Sequence, residues 1–189
     1  FIKKSIIDGI KKYGSGSGAS HLISGHYEIH DKLEQLAAEN LGFDKSILFS
    51  SGFSANIGVI NALCDRNDLI FSDRLNHASL NEGSLLSKSK FIRYNHLDLT
   101  HLENLLKVND GRRKLIISDA VFSMDGDLIN LPALMVLCEK YDAYLYIDDA
   151  HGYGILGENG QGVLEHYYPN LDIKPKQKKR IIYMFTLGK

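Results

Sequence analysis

The chain has 189 residues, with 22 basic and 23 acidic side chains and a formal charge of −1, so it carries no large field of either sign for nucleic acid or an anionic membrane. No apolar run approaches the roughly 18 residues a membrane span needs, and the length suits a compact fold burying roughly 70% of its unfolded surface. Its two cysteines, Cys64 and Cys138, sit in apolar segments without metal-ligand companions, which predicts buried free thiols and suits a reducing cytoplasm.

The chain opens on Phe1 and stops on Lys189 with no closing element, so it is expected to be a segment of a longer protein. Ile6, Ile10 and Tyr13 share one face of a predicted helix over 2–13. The run GSGSGAS over 14–20 follows, either a flexible linker or a loop whose backbone passes close to something. Residues 1–20 thus form an amino-terminal helix and glycine-rich segment, and 21–189 the main domain. A second helix over 27–41 carries Ile29, Leu33, Leu36, Ala37 and Leu41 at helical spacing and stops at Gly42. His26 and His30 stand at metal-ligand spacing on it, but no third ligand is in view, so no metal is expected.

From Gly42 onward strands and helices alternate, which predicts an α/β fold with a mainly parallel sheet and helices on both faces. Ser46 to Ser50 reads as a strand, Ser51-Gly52-Phe53 as a tight turn, and 54–63 as a helix whose start would welcome a phosphate. Strands are predicted over 69–72, 90–94 and 114–118, and helices over 78–86, 100–108 and 131–141. His77 falls at a helix start, where a cap is the ordinary reading. VFSMDGD, Val121 to Asp127, is a polar loop after a strand. KPKQKKR, Lys174 to Arg180, reads as a solvated loop or a targeting patch. A last strand over 181–185 leads into Thr186-Leu187-Gly188-Lys189, and there is no internal repeat.

The densest chemistry is AYLYIDDAHGYG, Ala143 to Gly154. Its apolar half reads as a strand covered on both faces, and Asp148, Asp149 and His151 leave its carboxyl end, where ligands bind in open α/β sheets. An acid there has three readings: a cap of the next turn, a metal-holding acid of a nucleotide hydrolase, or a partner for a cofactor's ring nitrogen. The second requires a phosphate loop of the form G-x-x-x-x-G-K-[ST], and Gly14 to Gly18 lacks the lysine.

In this order and at these separations, SGF at 51–53, NHAS at 76–79, VFSMDGD, DDAH at 148–151 and TLGK at 186–189 closely resemble the α-oxoamine synthases. These are pyridoxal-phosphate enzymes of the fold type I aminotransferase class, and the likeness runs from about Tyr13 to Lys189. It implies the large, cofactor-binding domain of a three-layer α/β/α fold, with the carboxyl-terminal domain lying beyond this sequence. It implies that Lys189 holds pyridoxal 5'-phosphate as a Schiff base and serves as a base on the substrate carbon, and that Asp148 pairs with the ring nitrogen. His151 would bond the ring's phenolic oxygen with Ser123 nearby, and His77 would stack on the ring and place the substrate. Ser51, Gly52, Phe53 and Thr186 would hold the phosphate.

The reaction implied is a decarboxylating condensation of an amino acid with an acyl thioester carried on coenzyme A or a carrier protein. The biotin-pathway branch, which joins L-alanine to a pimeloyl thioester, is the nearest match. Alternatives are the branches with glycine C-acetyltransferase, 5-aminolevulinate synthase or serine palmitoyltransferase activity, and a non-catalytic paralogue acting as a regulatory subunit. The glycine-rich segment implies a homodimer, since in the family it lies near the active site at the subunit interface. Departures from the family pattern are His21 in place of arginine, Ala120 in place of glycine, and a longer stretch from Tyr168 to Arg180.

Overall fold

The computed structural model describes residues 1–188, and Lys189 lies outside the described residues. The chain divides into two compact units, Phe1–Leu48 and Phe49–Lys189.

The first unit holds helices α1 (Ile2–Tyr13) and α2 (Glu28–Leu41). The glycine-rich segment between them is tied down rather than free: Tyr27 Oη donates to the Ser17 carbonyl at 2.9 Å, and the Ser20 carbonyl accepts the amides of Ile23 and Gly25. Residues 46–50 form no strand. Their polar groups turn instead to α2, Leu48 N donating to Glu34 Oε1 at 2.7 Å and Ser46 Oγ to the Glu34 carbonyl at 2.6 Å. A side chain has taken the place of a ladder partner, which an apolar run cannot announce.

The second unit is an all-parallel five-stranded sheet in the order β2-β1-β3-β4-β5. The strands are β1 (Leu69–Asp73), β2 (Lys90–Tyr94), β3 (Lys114–Asp119), β4 (Ala143–Asp148) and β5 (Ile181–Met184). Helices α3 (Gly52–Leu63), α4 (Ala78–Leu86), α5 (Leu99–Val108) and α6 (Leu131–Lys140) alternate with them. Short helices α7 (Val163–Tyr167) and α8 (Pro175–Lys178) and a 3-10 turn at Pro169–Leu171 fill the stretch before β5. The basic run is therefore partly helical, because Pro175 is preset for a first helical turn.

Side chains alternate across the pleat, so each strand feeds two cores. Ile70, Leu115, Ile117, Tyr146 and Met184 form one, with Ala55, Ile60 and Cys64 of α3 and Leu80 of α4. Phe71, Ile116, Leu145 and Ile147 point the other way, where α5 pairs with β2 and α6 packs on β4. Each such fully buried side chain contributes about 1.5–3 kcal/mol, enough to fix the register wherever both faces are covered. Burial pushes the Cys64 thiol up to about 11 and that of Cys138 up to about 12, and both cysteines are free.

Candidate functional site

The carboxyl edge of the sheet gathers the candidate residues. Helix α3 begins at Gly52, two residues before the predicted start, because Ser51 caps it: Ser51 Oγ accepts the Ser54 amide at 3.1 Å. The Gly52 and Phe53 amides, first in the helix, have no intrahelical acceptor and stand at the positive end of its dipole. Across from them lies Thr186. A Cβ on Gly52 would come within 2.8 Å of Thr186 Cγ2, so only glycine allows the helix start this close to the chain leaving β5. Thr186 Oγ1 is buried and has no hydrogen-bond partner among the described residues. A buried hydroxyl without a partner costs about 1–3 kcal/mol, which marks a place awaiting an acceptor or donor.

Asp148 ends β4, 6% exposed. Pleat parity sends it to the same side as Tyr146, the face that α3 covers. There Asp148 Oδ2 accepts Asn56 Nδ2 at 2.7 Å, and Oδ1 accepts the Ala150 amide at 3.0 Å. Asn56 Nδ2 also reaches Ser79 Oγ at 2.8 Å, and Asn56 Oδ1 accepts Tyr146 Oη at 2.7 Å. Ser79 Oγ in turn lies 2.7 Å from His77 Nδ1. Asp148 and His77 are thus joined through two buried side chains.

His77 is the cap of α4, and its own amide donates to Asp119 Oδ2 at 2.7 Å. Its exposed ring meets Phe53 edge-on at 6.5 Å between centroids. Asp119 is level with Asp148 on the neighbouring strand, and its amide donates to Asn76 Oδ1 at 3.0 Å. Ser123 is exposed in the turn of the VFSMDGD loop, where Phe122 N bonds the Asp127 carbonyl at 2.9 Å. His96 ties that loop back, with Nε2 3.1 Å from Asp127 Oδ2 and Nδ1 2.8 Å from Asp73 Oδ1. His151 is half-buried in the turn after β4.

Asp149, the next residue, faces the opposite side and is fully buried. Its Oδ2 accepts the Val163 amide at 2.7 Å and the Tyr183 hydroxyl. Burial pushes its carboxyl up to about 6, against the pull of those two hydrogen bonds. It anchors the loop carrying His151 and Gly162 instead of facing the edge. Neither of two surface clefts, one lined by Tyr94, Leu97 and Leu134 and the other by Leu63, Tyr144 and Ile182, includes any of these residues.

Sequence reasoning missed Asn56, Ser79 and Asp119. Asp119 closes an apolar strand just as Asp148 does, and the same argument applied to KLIISD finds it. Asn56 left one signal, an amide among the apolar positions of GFSANIGVINAL.

In the first unit, His21 supplies the third imidazole that the sequence left out of view: ligand atoms of His21, His26 and His30 lie within 4.8 Å of one another. His21 Nδ1 and His26 Nδ1 are 2.9 Å apart, and His26 Nε2 is 2.9 Å from Asp31 Oδ1. His30 Nδ1 accepts the Tyr27 amide at 2.9 Å. A metal-bound histidine donates its second N–H outward, whereas His30 receives one. These side chains form a hydrogen-bonded cluster at the start of α2, in which His26, Asp31 and Glu34 make a second group with ligand atoms within 4.8 Å of one another.

Curated relatives and solved structures bear on this geometry. The chain is 56% identical over 176 residues to the 8-amino-7-oxononanoate synthase of Methylobacillus flagellatus, covering 93% of the chain and 43% of the relative. It is 52% identical over 186 residues to that of Nitrosomonas eutropha, covering 98% and 47%. The chain therefore spans less than half the length of these relatives. The solved 8-amino-7-oxononanoate synthase of Francisella tularensis superposes with a TM-score of 0.79 at 32% identity, over 99% of this chain and 50% of that one. A variant serine palmitoyltransferase from S. paucimobilis, solved with a bound PLP–myriocin aldimine, gives a TM-score of 0.86 at 27% identity, over 95% and 45%. The parallel sheet, its capped α3 turn and the acids at its carboxyl edge agree with a match of residues 2–189 to one family description, and the chain belongs to the aminotransferase class I and II family.

Proposed function

We propose that this chain is the cofactor-binding part of an enzyme that condenses an amino acid with an acyl thioester and releases carbon dioxide, using pyridoxal 5'-phosphate. The observation that carries the reading is the buried hydroxyl of Thr186, without a partner among the described residues, beside the first-turn amides of α3 that have no intrahelical acceptor. That donor set suits a phosphate, and the Asp148 carboxylate shares the edge, which suits a pyridine ring carrying that phosphate.

The cofactor, when bound, supplies a conjugated ring that withdraws electrons from the substrate carbon. The chain's own residues do the rest. Ser51, Gly52, Phe53 and Thr186 hold the phosphate; Asp148 keeps the ring nitrogen protonated by its negative charge. His77 covers the ring face and positions the amino acid, and His151 with Ser123 addresses the ring's phenolic oxygen. Lys189 is the amine that anchors the cofactor and moves the proton at the substrate's α-carbon.

The preferred substrates are L-alanine and a pimeloyl thioester, giving 8-amino-7-oxononanoate. Identity above 50% to synthases of that name supports this over the serine palmitoyltransferase reading, whose structures match at 27–32% identity. We also propose a homodimer working in the cytoplasm, a location that the two free, buried cysteines suit. The test is made on the full-length protein: uptake of pyridoxal phosphate as a visible absorption band, then turnover of alanine, glycine and serine with thioesters of different length. A chain that takes up no cofactor overturns the reading. Faster turnover of serine with a long acyl chain replaces the substrate assignment.

A further inference from the structure

The buried amide of Asn56 belongs to no motif and has no role in the chemistry above, yet it touches both ends of the site. It is 1% exposed, and its three partners Tyr146, Ser79 and Asp148 are 0%, 0% and 6% exposed. The direction of every bond follows from chemistry. A carboxylate accepts, so the atom 2.7 Å from Asp148 Oδ2 is the amide nitrogen, and the Tyr146 hydroxyl donates to the amide oxygen. The second amide hydrogen goes to Ser79 Oγ at 2.8 Å, leaving the serine hydrogen to donate to His77 Nδ1 at 2.7 Å. The Ser79 amide points at the same Nδ1 from 3.3 Å. With two donors aimed at it, Nδ1 accepts, and Nε2 carries the ring hydrogen.

We propose that Asn56 is a positioning residue that orients two groups at once: the Asp148 carboxylate toward the cofactor's ring nitrogen, and, through Ser79, the His77 imidazole in its Nε2–H tautomer. The inference rests on the pyridoxal-phosphate reading. Tyr146 locks the amide, because rotation about its last bond would set the amide oxygen against the Asp148 carboxylate. One side chain on α3 therefore couples the end of β4 to the start of α4, two elements 71 positions apart between His77 and Asp148. Neither group needs to be reset when substrate arrives.

The test uses the full-length protein and three variants. Asn56→Leu keeps the volume and removes the bonds; Tyr146→Phe frees the amide; Ser79→Ala cuts only the branch to His77. The readouts are pyridoxal-phosphate affinity and the pH midpoint of the bound cofactor's visible band. Asn56→Leu is expected to lose affinity by about 10-fold and to move the midpoint upward by about 0.5 pH unit or more, since a ring nitrogen that holds its proton less firmly repels a second positive charge on the conjugated system less. Tyr146→Phe moves it the same way by less, and Ser79→Ala leaves affinity and midpoint unchanged while raising the KM for the amino acid. Wild-type affinity and midpoint in Asn56→Leu overturn the proposal, and if that variant does not fold, an unmoved midpoint in Tyr146→Phe does so. A wild-type protein that takes up no cofactor removes the functional reading, and this inference falls with it.

Discussion

Neutralising Asp149 is expected to make the fold more stable at neutral pH and to leave it unimproved in acid. The carboxyl is fully buried, and its folded value stands at about 6 against an ordinary 3.8. Burial is the leading cause; the hydrogen bonds from Tyr183 and Val163 oppose it, and the neighbouring Asp148 charge adds to it. A raised carboxyl means that the folded state binds more protons than the unfolded one between these two values. Stability from this group is therefore present in full below pH 4 and lost as pH rises through about 6. At ~1.4 kcal/mol per pH unit, the interval corresponds to about 3 kcal/mol of destabilisation at neutral pH. Asp149→Asn keeps an oxygen acceptor for Tyr183 and Val163 but buries an amide NH2 at the Oδ1 position, where no acceptor lies among the described residues, which returns about 1–3 kcal/mol of that gain. Urea unfolding of both proteins without cofactor, from pH 4.5 to 8, isolates this pair, because carboxylates not coupled to Asp149 cancel in the difference. The difference should swing toward the variant by about 2 kcal/mol across that range. A flat difference, or one swinging toward the wild type as pH rises, refutes the assignment of a raised carboxyl.

Thr186→Val removes a buried hydroxyl that has no partner among the described residues, so the cofactor-free protein should be as stable as the wild type or more so in thermal unfolding. Its affinity for pyridoxal phosphate should fall by about 10- to 100-fold, the loss of one hydrogen bond to a charged group. Gly162 has φ +76°, and a Cβ there would meet Asp149 Oδ2 at 2.1 Å and Tyr183 Oη at 2.2 Å. Gly162→Ala should cost about 2–4 kcal/mol, measured by urea unfolding; a cost near zero would mean that the loop rearranges freely. His96 is held by two carboxylates whose attraction outweighs the opposing effect of burial and raises its value above 6.5. Its contribution is thus complete below pH 6.5 and disappears as pH climbs through the raised value. His96→Gln should destabilise the protein clearly at pH 5.5 and little at pH 9, and equal effects would contradict this. Lys189→Ala in the full-length protein should abolish the visible cofactor band and turnover, whereas His30→Ala should spare both.

The strands of the sheet were legible because a parallel sheet covered on both faces needs continuous apolar runs, and LIFSD, KLIISD and AYLYID are such runs. The same signal misled at SILFS, where the Leu48 amide donates to the Glu34 side chain and the Ser46 hydroxyl to the Glu34 carbonyl; composition cannot tell these partners from a ladder. Strand-end residues such as Asp148 and His77 were legible because polarity changes abruptly there. Asn56 was not, since its value depends on meeting Asp148 from 92 positions away, which only the packed geometry decides.

The adjacent acids of the DDAH segment show how that geometry divides what the sequence leaves joined. Either could have capped the next turn, faced a metal or met a ring. Successive residues at a strand end project to opposite faces. Asp148 falls on the α3 side, where Asn56 and the Ala150 amide donate to it and it keeps slight exposure at the sheet edge. Asp149 falls on the other side, enclosed by Tyr183, Val163 and two glycines whose Cβ positions its carboxylate already fills. Hydrogen-bond donors and access to the edge suit the first for chemistry; enclosure and a raised carboxyl suit the second for holding a loop. Exchanging the roles would require shifting β4 by one residue against β3 and β5. That shift would turn Tyr146 and Ile147 out of their cores, so the packing of the sheet determines which aspartate addresses the cofactor edge.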